Sequence, residues 1–213
     1  ETMCTPLFHC QFRVPSYQDW VDEEADWGDV YRFHQRQLQH LQSRHSRDRW
    51  VLKTGAHLWG LEHLLKTYPD ARIVFTHRDP VDSMTSYASL TSLVRSMGSD
   101  HVDRAEVARD WTARLRRAVD HGLQVRDSGD YPEAIFVDVH FGDFVKNQFS
   151  VVEKIYQAFG LPMPAEAAEK MRAFIGNNPK GKHGDHNYRP EDFGVQPARV
   201  RQEFASYINR FEL

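Results

Sequence analysis

The chain has 213 residues, with 27 Lys and Arg against 30 Asp and Glu, and a net charge of −3 argues against a general nucleic-acid binder. Hydrophobic residues make up 40% of the sequence and only Cys4 and Cys10 are cysteines, which fits a globular chain with a sizeable core and excludes a disulfide-framed secreted domain. No apolar run approaches membrane-spanning length and there is no signal-peptide pattern, so a single cytoplasmic domain over residues 1–213, with no membrane span, is expected.

Residues 1 to about 29 read as irregular, with Pro6, Pro15 and scattered aromatics. A polar helix is predicted over 31–43, with Phe33, Leu38 and Leu41 facing inward. Residues 49–53 read as a short strand ending in a cation, Lys53. A helix follows His57, with Leu58, Leu61, Leu64, Leu65 and Tyr68 at helical spacing. Pro69 and Asp70 break it. Ile73, Val74 and Phe75 then form a buried strand, and Arg78 sits where the apolar run stops. Asp79 is a good N-cap and Pro80 suits the first helical position. Ser86 lies two helical turns further on, on the same face as the helix start.

This strand–helix–strand–helix order predicts an α/β fold, a parallel sheet flanked by helices. Both cations stand at carboxyl ends of strands, where open α/β sheets place their ligands. An Arg at such an end, beside a helix N-terminus and a hydroxyl, is suited to an anion such as phosphate. Further on, Val107, Trp111, Leu115, Ala118 and Val119 line one face of a helix over 104–126. A third buried strand is predicted over 134–139, a helix over 147–159 that stops at Gly160, and another over 165–175. Residues 177–194 read as a long loop, of a length that is usually functional or disordered, and a last helix covers about 198–211.

Several segments carry a resemblance. They are Trp50-Val-Leu-Lys-Thr with His57-Leu58, then Tyr68-Pro-Asp-Ala-Arg-Ile-Val-Phe-Thr-His-Arg-Asp-Pro80, then Ile135-Phe-Val-Asp-Val139 and Val152 to Pro162. Lys180-Gly-Lys-His183 and the residues to Gly194 complete the series, in order and over nearly the whole chain. Together they resemble the bacterial branch of the sulfotransferase family, which uses 3′-phosphoadenosine 5′-phosphosulfate (PAPS) as sulfuryl donor. The resemblance implies an architecture like that of P-loop nucleotidases and an acceptor hydroxyl or amine on a small molecule or glycolipid. It implies no nucleic-acid partner, and nothing in the sequence sets an oligomeric state.

By that resemblance Arg78 and Ser86 match the family's 3′-phosphate pair, and Lys180, Gly181 and Lys182 its basic loop over the same phosphate. Lys53 is placed to follow the leaving oxygen as charge builds there. Two residues stand as candidate general bases. His57 is one, expected to be kept neutral by a helix dipole, although Gly55 and Ala56 separate it from the family's Lys-Thr pair. Glu1 is the other, since some relatives use a Glu. The family's phosphosulfate loop, on the order of Pro-Arg-Ser-Gly-Thr-Thr, has no counterpart here, so the chain is expected to be the C-terminal portion of a longer protein lacking the first βα unit. That gap favours a second reading, a non-catalytic nucleotide-binding or structural remnant of the fold. A P-loop kinase is a weaker third, because no Walker-type Lys or metal-binding carboxylates are evident. Sulfuryl transfer from PAPS requires no metal. His183 and His186 are too few for a metal site by themselves.

Overall fold

Two short strands, β1 (Ile73–His77) and β2 (Phe136–His140), pair in parallel, with Ile73 opposite Phe136 and His77 opposite His140. The computed structural model in which they pair describes residues 6–179, 182 and 188–213. The helices before β1 are α1 (Pro6–Gln11), α2 (Pro15–Glu23), α3 (Trp27–Gln42) and α4 (Leu61–Thr67). Between the strands run α5 (Pro80–Ser96) and α6 (Arg104–Asp127). After β2 come α7 (Phe141–Lys146), α8 (Gln148–Ala158), α9 (Ala165–Asn177), α10 (Pro197–Glu203) and α11 (Ala205–Phe211). The predicted parallel α/β fold is therefore present in a helix-rich form.

The backbone packs as two compact units. One holds residues 1–71 and 87–128, the other residues 72–86 and 129–213. In the first unit α6 presents Val107, Trp111, Leu115 and Ala118 as a buried stripe at helical spacing, as its sequence predicts. Asp103 starts that helix by accepting from the Ala105 and Glu106 N–H groups at 2.9 and 3.0 Å. On α4, Leu61, Leu64 and Leu65 are buried, each worth about 1.5–3 kcal/mol relative to exposure. Gly60, just before α4, makes room for aromatic rings: a Cβ there would lie 2.6 Å from the Trp27 ring and 2.8 Å from Tyr31. Its backbone is in an ordinary region, so space alone requires glycine. Gly60→Ala is expected to cost about 1–3 kcal/mol in urea unfolding, as overpacked cores do.

Several local expectations differ from what forms. The N-terminal stretch is helical and not irregular: Pro15 is the first residue of α2, where a missing N–H costs nothing. The inward face of α3 is Tyr31, His34 and Leu38, while Phe33 and Leu41 are each 51% exposed. Residues 49–54 form no strand. Val51 is 90% exposed, and a strand persists only where a neighbour takes its N–H and C=O groups. Among the described residues the only sheet is the β1–β2 pair.

In the second unit β1 and β2 carry Phe75 and His77 against Phe136 and Asp138 on one face. Phe211 of α11 stacks on the His77 ring at 3.8 Å. α8 ends as predicted at Gly160, whose φ of 60° is the left-handed value that favours glycine. The C-terminal helix is two helices, α10 and α11, divided at Phe204. The Phe204 side chain is buried in the core.

Candidate functional site

In the second unit the carboxyl end of β1 carries Arg78. The chain turns there because Asp79 accepts the Val81 N–H at 2.7 Å and Pro80 begins α5. The Arg78 guanidinium lies over the Phe141 ring at 4.8 Å, next to the end of β2. Its contact with Asp82 is long, 3.6 Å, and Asp82 is well exposed. Arg78 Nε is buried and has no hydrogen-bond partner among the described residues. A buried donor left unpaired costs about 1–3 kcal/mol, and an anionic oxygen would remove that cost. The Arg78 side chain keeps 32% of its surface exposed, so such an oxygen can reach it. Ser86, half-buried on α5, belongs to the same unit.

Lys182 also belongs to this unit. Its Nζ donates to the Asn177 carbonyl at 2.8 Å and to Asn178 Oδ1 at 3.2 Å, at the C-terminal end of α9. A cation there offsets the negative end of the helix. Lys180, Gly181 and Glu1, and the pair His183 and His186, lie outside the described residues.

The first unit holds Lys53 and His57. Lys53 is exposed on the extended 49–54 segment. His57 sits in a short 3₁₀ turn, Gly55–Leu58, opened by Thr54, whose Oγ1 accepts the Ala56 N–H at 3.2 Å. A hydrogen bond of 2.9 Å joins His57 Nδ1 to Tyr31 Oη, and the two rings stack at 6.0 Å. His34, one turn along α3, bonds the Tyr68 hydroxyl through Nδ1 at 2.8 Å and lies 6.5 Å from the His57 ring. Burial first, and the charge of His34 second, push the His57 pKa down to about 4. Burial likewise holds the Tyr31 phenol well above its ordinary range, so it stays protonated. His57 is therefore neutral near pH 7, with burial and His34 as the cause.

Two comparisons bear on this geometry. A family model described as the sulfotransferase family matches residues 4–165. The chain belongs to the sulfotransferase family. It is similar to the solved sulfotransferase STF9 from Mycobacterium avium, at 27% identity and a TM-score of 0.89 over 99% of this chain and 53% of that one. It is also similar to sulfotransferase STF1 from Mycobacterium tuberculosis H37Rv, at 31% identity and a TM-score of 0.81 over 94% of this chain and 51% of that one. The chain thus spans about half the length of the solved sulfotransferases it matches. No curated protein matches the sequence.

The family match covers Lys53, His57, Arg78 and Ser86. Around them stand residues to which the motifs assign no site role: Tyr31, His34 and Tyr68 about His57, and Phe141 beneath Arg78. The inward spacing of Tyr31 and His34 on α3 was the available signal for the first group. Phe141 had none, because its neighbour Arg78 is remote in sequence. Among the described residues no helix is long and apolar enough to cross a membrane.

Proposed function

We propose that this chain is part of a PAPS-dependent sulfotransferase domain acting on a hydroxyl or amine of a small-molecule or glycolipid acceptor. The observation that carries the reading is Arg78: a strand-end guanidinium, stacked on Phe141, with a buried Nε that has no partner among the described residues, in a member of the sulfotransferase family. PAPS supplies an activated sulfuryl group whose bond to the 5′-phosphate breaks as the acceptor oxygen or nitrogen bonds to sulfur. Arg78 and Ser86 hold the 3′-phosphate, the Arg by charge and fork geometry and the Ser by one hydroxyl. Lys180, Gly181 and Lys182 close over it, which requires Lys182 to leave the end of α9. Lys53 neutralises the departing phosphate oxygen. His57 accepts the acceptor's proton, with Glu1 as the alternative base.

The test is calorimetric binding of 3′-phosphoadenosine 5′-phosphate to the full chain. Micromolar or tighter binding is expected, weakened on the order of a hundredfold in Arg78→Ala, since charge-assisted hydrogen bonds contribute about 1.5–3 kcal/mol each. If the nucleotide does not bind, or if Arg78→Ala binds it equally well, the PAPS reading is wrong.

A further inference from the structure

Behind Arg78 lies a buried polar chain that the anion site does not itself use. His77 is 1% exposed, yet both ring nitrogens have partners: Nε2 lies 2.8 Å from Asp138 Oδ1 and Nδ1 lies 3.0 Å from Tyr207 Oη. Tyr207 Oη lies near enough to the backbone N–H of Arg78 for that group to draw its pKa down. The directions follow from what each group can do. A carboxylate only accepts, so His77 Nε2 carries the proton and donates to Asp138. The Nδ1 of a neutral ring is then a lone pair, which takes the Tyr207 O–H. Burial pushes the Tyr207 pKa up to about 12, against the pull of the Arg78 N–H, so the phenol keeps that proton.

We infer that Tyr207, held by His77 and Asp138, is a positioning residue that fixes the end of β1 at His77 and so aims the Arg78 guanidinium at the 3′-phosphate. The inference rests on the reading of Arg78 proposed above. β1 ends at His77, so Arg78 lies one residue past the paired strand and its aim depends on how that end is held. Tyr207 on α11 holds it through the His77 ring. A second tie comes from α10, where Arg201 reaches the Asp79 carboxylate at 3.5 Å. The C-terminal helices thus hold the residues on either side of Arg78. Sites that bind a charge by geometry lose much of their selectivity when the supporting residues loosen.

The discriminating experiment is calorimetry with 3′-phosphoadenosine 5′-phosphate and with adenosine 5′-phosphate, which lacks the 3′-phosphate, on the wild-type chain, Tyr207→Phe and Arg78→Ala. Tyr207→Phe is expected to bind the first nucleotide about tenfold more weakly and the second unchanged, the size of one lost hydrogen bond. An equal loss for both nucleotides, or none, would overturn the positioning role while Arg78→Ala still showed its own loss. A wild-type chain that does not prefer the 3′-phosphorylated nucleotide would overturn the PAPS reading itself, and this inference with it. Nitrogen-15 NMR of the His77 ring in the wild-type chain provides a readout that needs no variant to fold. A proton on Nε2 and a bare Nδ1 are expected; the reverse tautomer, or protons on both, would overturn the relay.

Discussion

Arg114→Met is expected to lower the unfolding free energy by about 3–5 kcal/mol, because it strips the buried cation from the buried Asp22 carboxylate. The Arg114 side chain is 5% exposed on α6. Its guanidinium bonds Asp22, itself only 7% exposed, and donates from Nε to Asp110 at 3.0 Å. Asp19 lies further off, at 3.5 Å. Asp110 also bonds His9, which is buried against Trp111. Burial raises the Asp110 carboxyl, but the hydrogen bond and charge of His9 and the charge of Arg114 outweigh it and hold the pKa below its ordinary value. Without Arg114 the buried Asp22 keeps the neutral Gln18 amide at 2.7 Å and Arg117, a half-exposed cation at 3.0 Å. Urea unfolding at neutral pH measures the loss as a fall in midpoint at constant slope. Replacing Asp22 by Leu in the same variant should recover part of it, since an apolar pair avoids leaving an unpaired buried charge. The exposed pair of Arg116 and Asp120, at 3.6 Å on the same helix, is the control: Arg116→Ala should move stability by no more than about 1 kcal/mol. Equal effects at Arg114 and Arg116 would show that the cluster is not the buried network its geometry indicates.

What the sequence revealed follows the range of the forces involved. The β1-to-α5 turn was legible because every signal in it is local: an apolar run, then Asp79 as cap, then Pro80. α6 was legible because Val107, Trp111, Leu115 and Ala118 repeat at helical spacing. The 49–53 segment is not a strand, because an apolar run does not reveal whether a neighbouring strand exists. The inward face of α3 is not legible from apolarity alone, because a polar side chain with a partner also faces inward. His34 is inward through its bond to Tyr68, while Phe33 is left outside. The same limit applies at the site. Arg78 could be found from its place after a strand. The Tyr207 contact, which spans 130 residues to His77, could not. His77 offered a partial clue, since a period of two puts it on the same strand face as Phe75, an inward position where a His needs partners.

His57 should make the folded chain sensitive to acid in a defined window. Its pKa is about 4 in the folded state and 6.5 in an unperturbed chain. Above pH 6.5 both states hold a neutral ring and stability is unaffected by it. As pH falls from 6.5 toward 4, the unfolded chain takes up a proton that the folded chain refuses, so stability is lost progressively and the loss is complete below 4. The full difference is on the order of 3 kcal/mol, at about 1.4 kcal/mol for each unit of pKa. His57→Asn keeps a polar group within reach of Tyr31 and removes the titration. Urea unfolding at pH 7.0 and pH 4.5 should therefore show the wild-type chain losing about 2–3 kcal/mol more than the variant between the two conditions. Equal losses would mean that the ring is not held neutral by its surroundings. The depressed pKa also constrains any catalytic use of His57. A neutral imidazole is ready to accept a proton at pH 7, but with its conjugate acid at about 4 it is a weak base in the free protein. A negative charge brought close to it on ligand binding would raise that pKa, so base strength would arrive together with an anionic donor. The pH dependence of kcat/KM reports the free protein and that of kcat the complex. If His57 is the base, the acid limb should lie near 4 in the first profile and at higher pH in the second.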